Sequence, residues 1–338
     1  MEDYWFIVFE HLTAPIDLRS LGLTCKAASL KLERHRNKLI NSRHLERLLR
    51  LFPNQKWDFD SLSSNPNLTW DTVKRFPNAN WCYQCLSTNP NITWDIVKRN
   101  SHLAWDYTNL SRHPNITLDI VKQNPNPFWS YAHLSSNSNI TWEIVQQNPD
   151  IEWNYLNLSM NPNITWEIVQ QNPDKPWNYE YLLQNPNMRL NIIQEIMVKY
   201  FKDGLTSSYL SSRPDVWELV KQNPKVHWNI YSISRNPSIT LEIVNQNPDF
   251  GWNYDFLSQN PSVTWDMIKQ NPDKPWNFSM LLTNPNITFD IIQQNPQIKW
   301  DYYRFSSNPS LRWYDVHNNP NLPWDWQSIS INKFRKSN

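Results

Sequence analysis

Two cysteines three residues apart, Cys82 and Cys85, form the C-x-x-C spacing that occurs at zinc sites and in redox-active dithiols. A structural zinc site needs four ligands, and no second pair of Cys or His residues lies near these two in the sequence. Within the repeat described below, Cys82 occupies a helix-cap position that is held by Asp or Asn in other copies. The sequence therefore predicts no metal site and no cofactor.

A second candidate for chemistry is a set of carboxylates that recur at one position of a repeated pattern. Such a ladder could bind cations or supply acid and base groups. Each carboxylate, however, falls in the first turn of a predicted helix, where the helix dipole stabilises negative charge by about 0.3 to 1 kcal/mol. No copy departs from the pattern to place a nucleophile beside a base, so we expect a non-enzymatic protein. The carboxylates are Asp71, Asp95, Asp119, Glu143, Glu167, Glu242, Asp266 and Asp290.

A tandem repeat of 24 residues positions all of these groups, as 150–173 (DIEWNYLNLSMNPNITWEIVQQNP) illustrates. The first aromatic residue of each unit lies at Trp57, Trp81, Trp105, Trp129, Trp153, Trp177, Phe201, Trp228, Trp252, Trp276, Trp300 and Trp324. The step from Phe201 to Trp228 is longer than the others and indicates an insertion near 202–208. Eleven full units run from about residue 54 to 320, and a truncated twelfth follows.

Each unit is predicted to contain two short helices. In 164–169, Thr165 is a good helix N-cap, and Ile164 and Val169 have the spacing of a hydrophobic staple. Asn154 caps the other helix in the same manner, between Trp153 and Leu158. Both helices are expected to stop at Asn-Pro pairs, because proline lacks an amide hydrogen and restricts the residue before it.

Helices of about two turns are not stable alone in water, so the units must stack on one another. We therefore predict an all-α fold, a helix-pair solenoid of about twelve 24-residue repeats over 54–338. At 8 to 10 Å between layers, it would form a superhelix on the order of 100 Å long. The last unit lacks a second helix, and we expect the C-terminal tail to cover Trp324 and Trp326 as a terminal cap.

Residues 1–40 do not fit the repeat. Their apolar residues and short Pro-containing turn resemble the F-box, a three-helix motif that docks on a Skp1-type adaptor of cullin ubiquitin ligases. The matching positions are Val8-Phe9, Leu12, Asp17-Leu18, Leu21 and Thr24-Cys25-Lys26. The resemblance implies that this small helical F-box-like element binds the adaptor through Val8, Phe9, Leu12, Leu18 and Leu21.

A simpler alternative makes the same N-terminal residues a helical cap, since the end repeats of a solenoid need an atypical closing element. Residues 41–53 are basic and amphipathic, and we interpret them as a connecting helix. Its Leu45, Leu48 and Leu49 are expected to pack on the first repeat, with the Arg residues in solvent. Contact of this helix with a membrane surface or nucleic acid is the weaker alternative.

Comparison of the units with one another indicates where a partner could bind. The second, third and sixth positions of the first helix vary freely and share one face, so stacked units present a strip of changing chemistry. Tyr181, Phe256, Tyr303 and Arg304 are the best anchor candidates, because aromatic and Arg residues dominate binding hot spots. The alternative is that the strip is unconstrained solvent-exposed surface.

Charge and composition limit the possible partners. The net charge of +1 disfavours a general nucleic-acid binder, and base stacking on the tryptophans would conflict with their expected burial. The three Gly residues leave little scope for a phosphate-binding loop. No signal or membrane-spanning stretch is evident and only three cysteines are present, so we expect a cytoplasmic protein without membrane partners.

The repeat is also similar to the Asn-Pro and Trp-rich arrays of giant DNA viruses of amoebae, in which an F-box-like start sometimes precedes the repeats. That resemblance implies the host cytoplasm as the compartment. The sequence as a whole predicts a protein-binding adaptor, with residues 1–40 recruiting a Skp1-type adaptor and the solenoid holding a target protein for ubiquitination. The alternative is an interaction scaffold with no link to ubiquitin, and a single-stranded nucleic-acid binder is a third possibility.

Overall fold

A computed structural model describes residues 44–200 and 210–334, and within those ranges every regular element is a helix. The predicted all-α repeat solenoid is therefore confirmed. The predicted insertion at 202–208 and the whole F-box-like stretch, with Val8, Phe9, Leu12, Leu18 and Leu21, lie outside the described residues.

The first helix of each unit is called its inner helix and the second its outer helix, for reasons given below. A helix over 44–51, α1, precedes the first unit. The described inner helices are α2 (Phe59–Ser64), α4 (Tyr83–Leu86), α6 (Tyr107–Ser111), α8 (Tyr131–Leu134), α10 (Tyr155–Met160), α12 (Tyr179–Leu182), α15 (Ile230–Arg235), α17 (Tyr254–Gln259), α19 (Phe278–Leu281), α21 (Tyr302–Phe305) and α23 (Trp326–Ile331). The outer helices are α3 (Trp70–Arg75), α5 (Trp94–Arg99), α7 (Leu118–Gln123), α9 (Trp142–Gln147), α11 (Trp166–Gln171), α13 (Leu190–Tyr200), α14 (Val216–Gln222), α16 (Leu241–Gln246), α18 (Trp265–Gln270), α20 (Phe289–Gln294) and α22 (Trp313–Asn318).

The helix boundaries follow from the caps that the sequence predicts. Thr165 accepts a hydrogen bond from the Ile168 amide at the start of α11, and Asn154 accepts one from the Asn157 amide at the start of α10. Helix α10 ends before Asn161 and α11 before Asn172, each of which is followed by proline. Two capped turns with a proline after each are thus the local unit of the fold.

The first tryptophan of each unit fixes the approach to its inner helix. In unit 5 the Trp153 indole is buried, and its N–H donates to the carbonyl oxygen of Asn148 at the end of the preceding outer helix, at 3.0 Å. The same bond to the carbonyl five residues earlier recurs at every described first tryptophan. Eight of these eleven indoles are buried and Trp57, Trp228 and Trp252 are half-buried, and none leaves its donor unsatisfied.

The same indoles separate the outer helices. Trp105 bonds to Asn100 at the end of α5, while its ring lies 6.0 Å from that of Trp70 in α3 and 5.7 Å from that of Tyr83 in α4. The indole thus fills the space between the outer helices of the two preceding units. Equivalent contacts join Trp94 to Trp129. Further copies are Trp142 with Trp177 and Trp265 with Trp300.

Inner helices approach one another much more closely, because amide side chains bond directly to the neighbouring backbone. Asn161, before the proline that ends α10, is fully buried and donates to the carbonyls of Ser135, Asn137 and Ile140 in the preceding unit, at 2.8, 3.0 and 3.1 Å. The helix pairs with the most extensive close contacts in the described chain are consecutive inner helices, such as α10 with α12 and α15 with α17. Because the inner helices are packed closely while indoles separate the outer helices, the stack of units bends toward the inner helices.

A row of serine hydroxyls reinforces the inner side. Ser159 accepts a hydrogen bond from the Asn178 amide of the next unit at 3.0 Å while donating to the Tyr155 carbonyl within its own helix. The buried asparagines that correspond to Asn161 in successive units form what we call the amide row. In two units another residue stands at this position. His113 reaches the Asn89 carbonyl at 2.9 Å, and Arg213 donates to the carbonyl of Leu183 at 3.1 Å.

The stack closes on itself. Asn65 in the first unit donates to the carbonyls of Ser330 and Asn332 in the twelfth, at 2.8 and 3.1 Å, as Asn89 does to Ser63 and Asn65. The Asp58 amide donates to the Ser330 hydroxyl at 3.1 Å, which repeats the serine bond of the other units. The first unit therefore follows the twelfth with the same contacts that join consecutive units.

Helix α1 supplies the outer helix that the twelfth unit lacks. The Trp57 indole donates to the carbonyl of Phe52 at 2.9 Å, the bond that other units make to the end of an outer helix. The Trp326 ring packs against Phe52 and Trp57, at 5.1 and 4.9 Å between ring centroids. Leu45, Leu48 and Leu49 are buried.

Three expectations change as a result. The open superhelix is wrong, because its two ends bond to each other. The C-terminal tail does not act alone as a terminal cap, because α1 and the first unit cover Trp326. Residues 41–53 contribute more than a connector, because α1 belongs to the twelfth unit as well as packing beside the first.

The number of units sets the size of the ring. Twelve units in one turn require about 30° of rotation between neighbours, which at a layer spacing of 8 to 10 Å separates the outer helices by about 5 Å more than the inner ones. Inner helices packed 8 to 10 Å apart lie on a circle about 30 to 40 Å across, and side chains reduce the central opening to the order of 20 Å.

Candidate protein-binding surface on the inner wall

The inner helices present their variable positions to the central opening. In α10, Leu158 and Ser159 face the core, whereas Leu156 is exposed and Met160 is half-buried. The third, fourth and seventh residues after each first tryptophan form this inner wall. The sequence predicted this face, and the closed ring turns it toward a shared central space.

Aromatic side chains are concentrated in units 8 to 11 of the wall. Tyr231 and Tyr303 are among the most exposed aromatic residues of the described chain, with 58% and 59% of their surface accessible. The ring of Phe256 lies 5.4 Å from that of Tyr231, across the boundary between units 8 and 9. Tyr231 is thus an exposed ring that packs on a half-buried one, and exposed aromatic surface of this kind marks candidate interaction sites.

Polar contacts continue this cluster into the next units. Gln259, one turn after Phe256, donates to the Met280 sulfur at 2.9 Å, and the Arg304 guanidinium lies 3.7 Å from the same sulfur. Arg304 also donates to the Ser279 carbonyl at 3.4 Å. We call Tyr231, Phe256, Met280, Tyr303 and Arg304 the aromatic–methionine patch.

Three of the four predicted anchor residues therefore lie together. Phe256, Tyr303 and Arg304 belong to the patch, whereas Tyr181 lies in unit 6. Between Tyr181 and the patch is unit 7, of which residues 201–209 lie outside the described ranges. The structure thus places Tyr181 on the same wall but in a different sector.

Sequence reasoning missed Tyr231 and Met280. Tyr231 occupies the same repeat position as Tyr303, and Met280 the same position as Phe256 and Arg304. Alignment of all twelve units by these positions contains the signal, because the aromatic, Met and Arg residues concentrate in four consecutive copies. Their proximity depends on ring stacking, which no single unit reveals.

Charges along the described wall are balanced. Its acidic residues include Asp60, Glu180 and Asp255, and its basic residues are Arg112, Arg235 and Arg304. A wall of this kind lacks the concentrated positive potential that phosphate backbones require. Most first-position indoles are buried, which makes them unavailable as base-stacking platforms.

One serine–histidine pair on the wall has the geometry of a nucleophile beside a base. The Nδ1 atom of His133 lies 2.8 Å from the Ser130 hydroxyl, and burial together with the Arg112 charge lowers the pKa of His133. Ser130 is the cap of α8, however, and its hydroxyl also accepts the His133 amide. The same cap-to-third-residue pairing joins Asp58 to Ser61 at 2.6 Å, so helix capping accounts for the contact.

The two spaced cysteines are joined to each other. Cys82 and Cys85 form a disulfide at the start of α4, and the Cys82 sulfur accepts the Cys85 amide as the cap of that helix. A carboxylate oxygen of Asp60 in the preceding unit lies within 4.8 Å of both sulfurs. Sulfurs engaged in a disulfide are not available as thiolate ligands, so this group as it stands has no metal-binding chemistry.

Neither the family models nor the curated proteins nor the solved structures that were compared contain a match to this chain. Across 44–200 and 210–334, no helix has both the length and the apolar character that crossing a membrane requires.

Proposed function

We propose that this chain is a non-enzymatic protein-binding adaptor whose ring holds a target protein at the aromatic–methionine patch. The observation that carries the proposal is the patch itself, in which Tyr231 and Tyr303 are well exposed, Phe256 packs on Tyr231, and Arg304 contacts Met280 in the preceding unit. Aromatic and Arg side chains on a rigid support lose little entropy on binding and supply most of the energy at protein interfaces.

In the same proposal, residues 1–40 recruit a Skp1-type adaptor of a cullin ubiquitin ligase, and the ring presents its target for ubiquitination. Support comes from the F-box-like sequence and from the way in which the ring closes. Helix α1 already supplies the outer helix of the twelfth unit, with Leu48 and Leu49 buried. A ring whose first and twelfth units cover each other needs no separate capping element.

Co-purification tests the adaptor half of the proposal. The full chain is co-expressed with a Skp1-type adaptor, beside a Phe9→Ala/Leu12→Ala variant and a Glu10→Ala/His11→Ala control on neighbouring polar positions. We expect a complex with the unmodified chain and the control, and loss of the complex with the apolar variant. No complex with the unmodified chain would remove the ubiquitin link and leave an interaction scaffold.

Quantitative affinity purification tests the patch half. Phe256→Ser/Tyr303→Ser removes two rings from the wall, and Gln84→Ser/Gln327→Ser changes the wall to the same extent outside the patch. A defined set of proteins should fall at least tenfold with the patch variant and stay constant with the control. Equal recovery with both variants would contradict a role of the patch in binding.

A further inference from the structure

Eleven of the ring's joints are crossed by the polypeptide, but the joint between the twelfth and first units is not. Although α1 completes the twelfth unit, it is covalently continuous with α2. Helices α1 and α2 therefore lie on one side of this joint, and α22 and α23, from the opposite end of the chain, lie on the other. Separation of 44–67 from 313–334 would break hydrogen bonds and ring contacts but no covalent bond. This is the closing joint.

The inner half of the closing joint is as well bonded as any other. Asn65 and Asp58 make the usual bonds to the twelfth unit, and Asn67 adds one to the Lys333 carbonyl at 2.8 Å. The weakness lies in the outer half, where α1 meets α22. There the His44 ring stacks on Trp313 at 4.0 Å, and the Arg47 guanidinium lies 5.6 Å from the centre of the same indole.

Unsatisfied polar atoms mark this outer contact. Within the described ranges, the buried side-chain nitrogen and oxygen atoms without a hydrogen-bond partner are His44 Nδ1, Trp313 Nε1 and His317 Nδ1. The first two belong to rings that stack between α1 and α22, and His317 lies one turn after Trp313 in α22 with its ring 5.7 Å from the indole. Buried polar atoms that lack partners favour states in which water can reach them.

The opposite side of α1 is held by ion pairs. Glu46 bonds to Arg75 in the first unit at 2.6 Å and to Arg50 within α1 at 2.9 Å. Since the chain also runs directly from α1 into the first unit, α1 would remain attached there when its contact with α22 is lost. Helix α1 is therefore attached more strongly to the first unit than to α22.

We propose that the ring opens at the closing joint alone, with α1 staying on the first unit and moving away from α22 and α23 as a gate. The other eleven joints stay closed, because covalent continuity holds their units together. An open gate would admit a continuous segment of a partner chain to the inner wall without threading a free end. That use rests on the proposed function, whereas opening of the gate does not.

Native-state hydrogen exchange of the full chain tests the gate without any partner. The Asp58 amide bonds to Ser330 across the closing joint, and the Asp106 amide makes the matched bond to Ser87 across an ordinary joint. After correction for intrinsic rates, we expect the peptide containing Asp58 to exchange at least tenfold faster than the peptide containing Asp106. Equal rates at the two joints would overturn the proposal.

Cross-linking across the closing joint is the second test of the gate. Ser64→Cys and Ile331→Cys, both exposed, allow a short bismaleimide to bridge the closing joint, and Thr88→Cys with Arg112→Cys bridges an ordinary joint, each in a Cys25→Ser chain. The first bridge should bring exchange at Asp58 down to the rate at Asp106, and the second should leave the difference unchanged. Persistence of fast exchange behind the first bridge would contradict opening at this joint.

Discussion

The side-chain amide of Asn65 donates to the carbonyl oxygen of Ser330, 265 residues later in the chain, at 2.8 Å. Asn89 makes the corresponding bond to Ser63 at the same distance within the continuous part of the chain. The equality of these two contacts means that the ends of the repeat array meet as ordinary neighbours. Because of this, a stack of weak two-helix units has no exposed end to protect.

Removal of one asparagine side chain from the amide row should destabilise the protein substantially. Asn260 is fully buried and donates to the carbonyls of Ser234, Asn236 and Ile239 at 2.9, 2.8 and 3.1 Å. Asn260→Ala leaves those acceptors without their donor and should lower the free energy of unfolding by about 3 kcal/mol. Urea denaturation followed by circular dichroism measures it. The exposed Asn245→Ala is the control, and an equal effect at both sites would show that the row is not a special source of stability.

The first-position indoles should stabilise the protein both by filling space between outer helices and by donating a hydrogen bond. Trp153→Ala removes a buried ring and its bond to the Asn148 carbonyl, and we expect a loss of about 3 to 5 kcal/mol. Trp153→Phe keeps most of the volume but loses the donor, so it should cost about 1 kcal/mol. Thermal unfolding of the two variants separates these contributions. A phenylalanine variant as unstable as the alanine variant would mean that the hydrogen bond outweighs packing.

Unit 7 replaces the asparagine by an arginine with a planar fork. Arg213 donates to the carbonyls of Leu183 and Met188 and pairs with Asp215 at 2.8 Å. Arg213→Lys keeps the charge but cannot reach all three groups, so it should destabilise the protein by about 1 to 3 kcal/mol. Chemical denaturation tests this, with the exposed Arg235→Lys as the control. Unchanged stability would mean that the fork geometry contributes nothing.

Acid should weaken the contact between α1 and α22. Burial, and then the nearby Arg47 charge, lowers the pKa of His44 to about 4, below the ordinary value of 6.5. The folded protein thus binds fewer protons than the unfolded chain between those values, so the His44 contribution is complete above pH 6.5 and declines as the pH falls toward 4. His44→Phe keeps a ring over Trp313 but cannot be protonated. Urea midpoints from pH 7 to 4.5 should fall less steeply for this variant, and parallel curves would contradict the role of His44.

The sequence alone predicts the unit but not the ring. Thr165 and Asn154 are caps, Asn161 and Asn172 end helices, and most of the first tryptophans are buried, because capping, proline chemistry and burial act within one or two turns. Closure depends on the angle between neighbouring units. That angle is set by the small difference between the spacing of the inner helices and the spacing of the outer helices. A few degrees more or less per unit would give an open superhelix.

The roles of Asn and Trp were also only partly predictable. The sequence pattern explains Asn161 only as the residue before a proline, yet its side chain bonds to three carbonyls in the unit before it. The pattern places the Trp153 indole in a staple, but its N–H bond to Asn148 needs the geometry of the turn between units. Both functions involve a neighbouring copy or the turn that leads from it, so a pattern within one unit does not contain them.

The candidate binding surface was also only partly predictable from the sequence. Variation between units identified the wall and named Phe256, Tyr303 and Arg304, because variable positions on a repeated helix share a face. The contact of Phe256 with Tyr231 and of Arg304 with Met280 depends on the stacking distance of the units. Position on the wall was therefore predictable, whereas membership of the patch was not.

Ring closure is tested most directly by the distance between the two ends of the array in solution. Single-molecule fluorescence transfer between dyes at Ser64→Cys and Ile331→Cys, in a Cys25→Ser chain, reports that distance without any partner. A closed ring places these adjacent inner helices about 10 Å apart and predicts near-complete transfer. An open superhelix of twelve units separates them by roughly 100 Å, so transfer close to zero would contradict closure.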